Sequence, residues 1–262
     1  MNRIDSHLHF GTIDEYDNLM RYQQAGGFDA LCLLSLPVPG RINFNPECLA
    51  AKIRDQKASQ DTIYALGSLD LAARGFADQI RLLHALGFDG VKLWEGKPEV
   101  QAATGISLID DDYLDGLRTA VELSMPVVLH VADPPDSWAA KQPACPSYEN
   151  LFEQTEHMLQ AVPGLRVVFP HLIFLAGDLP RLTEFMERWP DTFVDLSPGR
   201  YYFLELARQA EQAREFFSLF RKRILFGTDT MFFKKGFQLF SPVSLEEKLT
   251  QLDNLVRYLT TT

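Results

Sequence analysis

The stretch Arg3-Ile4-Asp5-Ser6-His7-Leu8-His9-Phe10-Gly11 decides how the chain is read. It is a strand-like run, and it ends on His-x-His where a doubly wound nucleotide-binding sheet would carry a glycine-rich phosphate turn. Working outward, seven further runs rich in Val, Ile, Leu and Phe recur at Ala30–Leu36, Thr62–Leu69, Gly90–Trp94, Val127–Val131, Val167–His171, Thr192–Leu196 and Ile224–Gly227. Each is followed by polar or Gly/Pro-containing residues and then by helical periodicity, as in Phe76–Leu86 with Phe76, Ile80, Leu83 and His84 on one face.

Eight strand–loop–helix units imply parallel strands with crossover helices. With no phosphate loop after the first strand, they point to an α/β fold, a single (β/α)8 TIM barrel spanning residues 1–262, a usual size for that fold. Helix starts are expected at the caps Asp14, Asp111 or Asp112, Ser147 and Ser244. Gly26 and Gly27, Gly87 and Gly164 stand where left-handed residues close helices. Two stretches after strand ends, Glu95–Asp110 and Ala132–Pro146, exceed the usual loop length and are candidate lids.

Twenty-five Lys plus Arg against 35 Asp plus Glu give a net charge of -10. That charge repels phosphate backbones and anionic surfaces, which argues against nucleic acid and membrane partners. The three cysteines, Cys32, Cys48 and Cys145, have neither a disulfide framework's density nor a zinc ribbon's spacing, and read as packing residues in a reducing compartment. No apolar run approaches the roughly 20 residues of a membrane span, and the strand beginning at Arg3 leaves no room for a secretion signal, so a cytoplasmic protein is expected.

His7 and His9, two apart on a strand, point to one side. On its own the pair reads equally as two unrelated core histidines. His130 ends the fifth run, His171 the sixth, and Asp229 follows the eighth, so four of the six histidines and one acid stand at strand C-terminal ends. A barrel gathers those ends around one mouth. Neutral imidazoles and a carboxylate suit one divalent ion, Zn(II) first and Mn(II) as the alternative, with a position left for water or substrate.

These residues, with Leu129-His130-Val131-Ala132-Asp133-Pro134 and Leu225-Phe226-Gly227-Thr228-Asp229, resemble the amidohydrolase superfamily over nearly the whole chain. More narrowly they resemble its amidohydrolase-related branch (amidohydrolase 2), which includes aminocarboxymuconate semialdehyde decarboxylase and dicarboxylate lactonases. The resemblance implies that His7, His9, His130 and Asp229 hold one metal ion. It implies also that His171 orients water or stabilises the transition state, with direct ligation open.

Lys92 alternates inward with Trp94. It reads as a substrate-facing ammonium or one half of a buried ion pair, with carboxylation to bridge two metals as the family alternative. Glu95 faces substrate or pairs with Lys92, unless it is a solvated loop carboxylate. Arg200 clamps a substrate carboxylate or is an ordinary surface arginine. Phe10, Trp94, Trp138, Tyr201 and Tyr202 could wall the mouth, while His84 and His157 fall in helices away from it.

The expected function is metal-dependent hydrolysis of a small ester, lactone or amide, with Asp229 taking the proton from water. The alternatives are non-oxidative decarboxylation of a small unsaturated or aromatic acid, and a barrel that binds a ligand without catalysis. The expected partner is a small molecule, carboxylate-bearing on the decarboxylase reading. The sequence leaves oligomeric state open, a homo-oligomer included.

Overall fold

A computed structural model describes residues 3–36, 43–134, 137, 142–197, 202–234, 244–250 and 253. The expected runs form β1 (Ile4–Phe10), β2 (Ala30–Leu34), β3 (Ile63–Gly67), β4 (Gly90–Gly96), β5 (Val127–Val131), β6 (Val167–Phe169), β7 (Thr192–Asp195) and β8 (Ile224–Leu225). A further piece, β9 (Thr230–Phe232), pairs with β1 at the far edge of one all-parallel sheet, β8-β7-β6-β5-β4-β3-β2-β1-β9. β8 and β9 are two halves of one broken strand. Between them the Ser6 N–H reaches Phe226 O at 2.9 Å and the Asp229 N–H reaches His7 O at 2.8 Å, so the sheet closes on β1 as a (β/α)8 barrel.

The helices are α1 (Tyr16–Gly26), α2 (Asn45–Lys57), α3 (Phe76–Leu86), α4 (Pro98–Thr104), α5 (Asp111–Glu122), α6 (Tyr148–Ala161), α7 (Leu179–Arg188), α8 (Phe203–Arg208) and α9 (Ala210–Leu219). None of the described helices is long and apolar enough to cross a membrane.

Strand alternation sorts the apolar residues into two clusters. Leu31, Leu33, Val91, Leu93, Val127, Leu129, Val167 and Phe169 belong to the large cluster between strands and helices. Leu34, Leu66 and Val128, with Cys32 and Val168 against them, form a small separate one. Those residues have the opposite parity, so they fill the barrel interior. Their layer is the floor beneath the mouth, and Lys92 lies in it, in register with Val128.

Several local expectations shift. The cap at the first helical turn is Thr12, which accepts from the Asp14 N–H, rather than Asp14; α5 is capped by Asp110, not Asp111 or Asp112. Ser147 caps α6 as expected, and Ser244 with Glu247 forms a reciprocal capping box. Glu95–Asp110 is no open lid: it completes β4 and folds into α4. His84 is exposed instead of sharing the apolar face of α3, and His157 is exposed as well.

Candidate metal centre

β1 delivers its two histidines after a local irregularity. Asp5 pairs with Leu31 and Leu8 with Leu33, so three steps on β1 oppose two on β2, a bulge. Asp5 before the bulge is turned to α1, accepting from the Tyr22 hydroxyl at 3.0 Å, while His7 within it lies at the mouth. Asp5 also accepts the Thr228 hydroxyl at 2.7 Å and the Thr228 N–H at 3.1 Å, pinning the broken eighth strand that carries Asp229. Burial pushes the Asp5 carboxyl up to about 7 in spite of these bonds.

His7 Nε2, His9 Nε2 and Asp229 Oδ1 converge: 3.3 Å between the imidazole nitrogens, 3.1 Å from His9 to Asp229 and 3.5 Å from His7 to Asp229. Among the described residues these three form the group of ligand atoms that all lie within 4.8 Å of one another. Asp229 adopts φ 56, a left-handed backbone that a short polar residue tolerates.

In each mouth histidine one ring nitrogen is committed to an acceptor. His7 Nδ1 donates to Asp195 Oδ2 at 2.7 Å and His9 Nδ1 to Leu34 O at 3.1 Å. His130 Nε2 donates to Ala132 O at 2.9 Å, and His171 Nδ1 to Ser197 O. An acceptor at one nitrogen fixes the proton there and leaves a lone pair on the other, as in His7, His130 and His171; His9 has an acceptor at each nitrogen, Leu34 O and Asp229 Oδ1, both at 3.1 Å. Burial, the largest influence on all four, lowers their pKa values, His130 most, and keeps the rings neutral near pH 7. Burial raises Asp229, but its His9 hydrogen bond and the neighbouring imidazoles outweigh that and hold it ionised, below the usual carboxylate range. Neutral lone-pair donors beside a carboxylate are the donor set a borderline divalent ion takes.

His130 and His171 flank this group. Their ring centroids are 4.9 Å apart, and His171 lies 5.5 Å from His7. Ala132, at φ 62, turns its carbonyl back onto His130, whose Nδ1 is the nitrogen left free. β6 stops at Phe169, short of His171. His171, Leu172, Ile173 and Phe174 all have φ between 47° and 63°, a left-handed turn costing an L-residue roughly 1–2 kcal/mol at each position.

Lys92 is 1% exposed, and its Nζ has no hydrogen-bond partner among the described residues. Burial pushes its pKa down to about 8 against the pull of Asp229 and Asp195. The expected partner, Glu95, faces away: it accepts the Trp94 N–H at 2.8 Å and lies 3.4 Å from the Tyr113 hydroxyl of α5, with burial raising it to about 7. It is thus neither a solvated carboxylate nor a partner of Lys92. A three-against-two bulge in β4, between Leu93 and Gly96, accompanies this. Gly96 permits it, since a Cβ there would lie 2.3 Å from His130 O.

Trp94 lies edge-on to His9, ring centroids 6.4 Å apart, and its buried Nε1 also lacks a partner among the described residues. Tyr202 stacks on His171, whereas Phe10 is buried in the core and does not wall the mouth. Arg200, Trp138 and Tyr201 lie outside the described residues.

Sequence reading passed over Asp195 and Ser197, and also Lys97 and Asp133, an ion pair at 2.7 Å with Asp133 Oδ1 3.5 Å from His130 Nε2. The signal that singled out Asp229, an acid at the C-terminal end of a barrel strand, applies equally to Asp195.

A divalent-ion donor set at the C-terminal mouth of a parallel barrel defines a class of enzyme, and the comparisons with known proteins agree with it. A family model described as Amidohydrolase matches residues 54–257. The chain belongs to the amidohydrolase family and is an enzyme of that superfamily. No curated protein matches it in sequence.

Solved structures share the fold. A probable 2-pyrone-4,6-dicarboxylic acid hydrolase from Acinetobacter baumannii with citric acid bound is 17% identical, with 98% of this chain and 93% of that one covered and a TM-score of 0.56. A 2,6-dihydroxybenzoate decarboxylase complexed with 2,6-dihydroxybenzoate is 14% identical over 100% and 93% of the two chains, TM-score 0.63. A 5-carboxyvanillate decarboxylase from Novosphingobium aromaticivorans, with bound manganese and a nitrobenzoic acid, is 12% identical over 100% and 91%, TM-score 0.59.

Proposed function

We propose that the protein is a metal-dependent hydrolase of a small ester or lactone bearing a carboxylate, with one divalent ion held by His7, His9 and Asp229. His130 Nδ1 is a further ligand, and Zn(II) is the first candidate ion, Mn(II) the second. The observation that carries this is the convergence of His7 Nε2, His9 Nε2 and Asp229 Oδ1 within 3.1–3.5 Å of one another, with the His7 proton held on Nδ1 by Asp195. Bound there, the ion supplies Lewis acidity, polarising a carbonyl and bringing water within reach of deprotonation near neutral pH.

The chain's own groups supply the rest. Asp229, ionised and 3.1 Å from His9 Nε2, accepts the proton of the attacking water and returns it to the leaving oxygen. His171, with its proton committed to Ser197 O, presents a lone pair, which suits orienting that water rather than donating to an oxyanion. The unpartnered Lys92 ammonium is the cation for the substrate's carboxylate, and the Trp94 indole N–H is a second buried donor without a partner among the described residues.

A screen of carboxylate-bearing lactones and esters with metal-loaded protein tests the reading. Asp229→Asn is expected to lower kcat by roughly 10²–10⁴-fold. Full activity in that variant removes Asp229 from the mechanism. The second reading is non-oxidative decarboxylation of an aromatic acid by the same residues. It is favoured by the decarboxylases among the structures sharing the fold and by Lys92, which could hold the carboxylate. Carbon dioxide release without hydrolysis selects it.

A further inference from the structure

Asp195 ends β7, and its two oxygens reach different parts of the mouth. Oδ2 accepts from His7 Nδ1 at 2.7 Å. Oδ1 accepts from the His171 N–H at 3.1 Å, from the Ser197 N–H at 2.9 Å and from the Ser197 hydroxyl at 2.6 Å. The side chain is 1% exposed, so these four donors stand in for water around a buried charge. Having given its proton to Asp195, Ser197 Oγ faces His7 Nδ1 at 3.1 Å and His171 Nδ1 at 3.3 Å only as an acceptor.

We propose that Asp195 is a positioning residue that sets both sides of the ion site. Through Oδ2 it keeps the His7 proton on Nδ1 and the lone pair on Nε2, facing His9 and Asp229. Through Oδ1 it anchors the His171 N–H, the first residue of the left-handed 171–174 turn, and so holds that imidazole at the mouth. Asparagine at this position cannot serve both sides. Three donors require the amide oxygen to remain at Oδ1, which turns the NH2 toward His7 Nδ1. That nitrogen must then accept, its proton moves to Nε2, and the lone pair no longer faces the ion.

This inference rests on the reading that His7, His9 and Asp229 hold the ion, and its test separates the two. Nitrogen-15 NMR of metal-free wild type is expected to show His7 protonated on Nδ1, and of Asp195→Asn to show it protonated on Nε2. Zn(II) titration is expected to give an affinity 10- to 100-fold weaker in the variant. Wild type that takes up no ion overturns the ion reading. An Asp195→Asn variant that binds Zn(II) as tightly as wild type, or wild-type His7 protonated on Nε2, overturns the role of Asp195. Should Asp195→Asn fail to fold, the wild-type tautomer alone decides.

Discussion

Lys92 is buried with its ammonium unpartnered among the described residues and its pKa pushed down to about 8, below its ordinary 10.5. A buried ammonium without a hydrogen-bond partner destabilises the free protein, and a carboxylate ligand would relieve it. Lys92→Met, of similar length, is therefore expected to raise the stability of the metal-free protein by about 1–3 kcal/mol and to raise the KM for a carboxylate substrate; denaturant melts and steady-state kinetics read the two effects.

The pH dependence has a definite sign. Between about 8 and 10.5 the unfolded chain keeps a proton that the folded chain has released, so the Lys92 penalty is full below about 8 and is relieved as pH rises. The stability gap between Lys92→Met and wild type should shrink across that window, and a constant gap would count against the assignment. At this scale the sequence showed which side chains stand at strand ends, because strand parity is local. It could not show that Glu95 turns to Tyr113, since a bulge one residue away reverses parity, nor that Asp195 holds His7, since that bond spans 188 residues.

Helix ends offer a second test. After α3 the Gly87 N–H reaches His84 O and the Phe88 N–H reaches Leu83 O, a motif closed by glycine at φ 93. After α5 the same pair of bonds runs from Ser124 to Val121 O and from Met125 to Ala120 O, yet Ser124 is exposed and not a glycine, at φ 56. Ser124→Gly is expected to stabilise the protein by about 1 kcal/mol, a rise of a few degrees in melting temperature, because it removes the left-handed penalty and loses no packing. An unchanged or lower melting temperature would contradict this. The elements themselves were legible wherever periodicity was long. What periodicity missed was short: α4, the break between β8 and β9, and the left-handed turn at 171–174, the last two tied to side chains distant in sequence through Thr228 to Asp5 and the His171 N–H to Asp195.

For the whole molecule, the broken eighth strand closes the barrel and presents Asp229 opposite β1, so closure and the donor set are one event. Binding an ion to the folded form alone should therefore stabilise the entire barrel, by about 2.7 kcal/mol when the free ion is at a hundredfold its Kd. Chelation should lower the melting temperature of wild type and leave a His7→Ala/His9→Ala variant unmoved. The measurement that reaches the central claim most directly is elemental analysis of protein purified without chelator or His tag, in metal atoms per chain, beside that double variant. One divalent transition metal per wild-type chain, lost in the variant, is the expected result. Wild type without metal, taking up none on reconstitution, would contradict it.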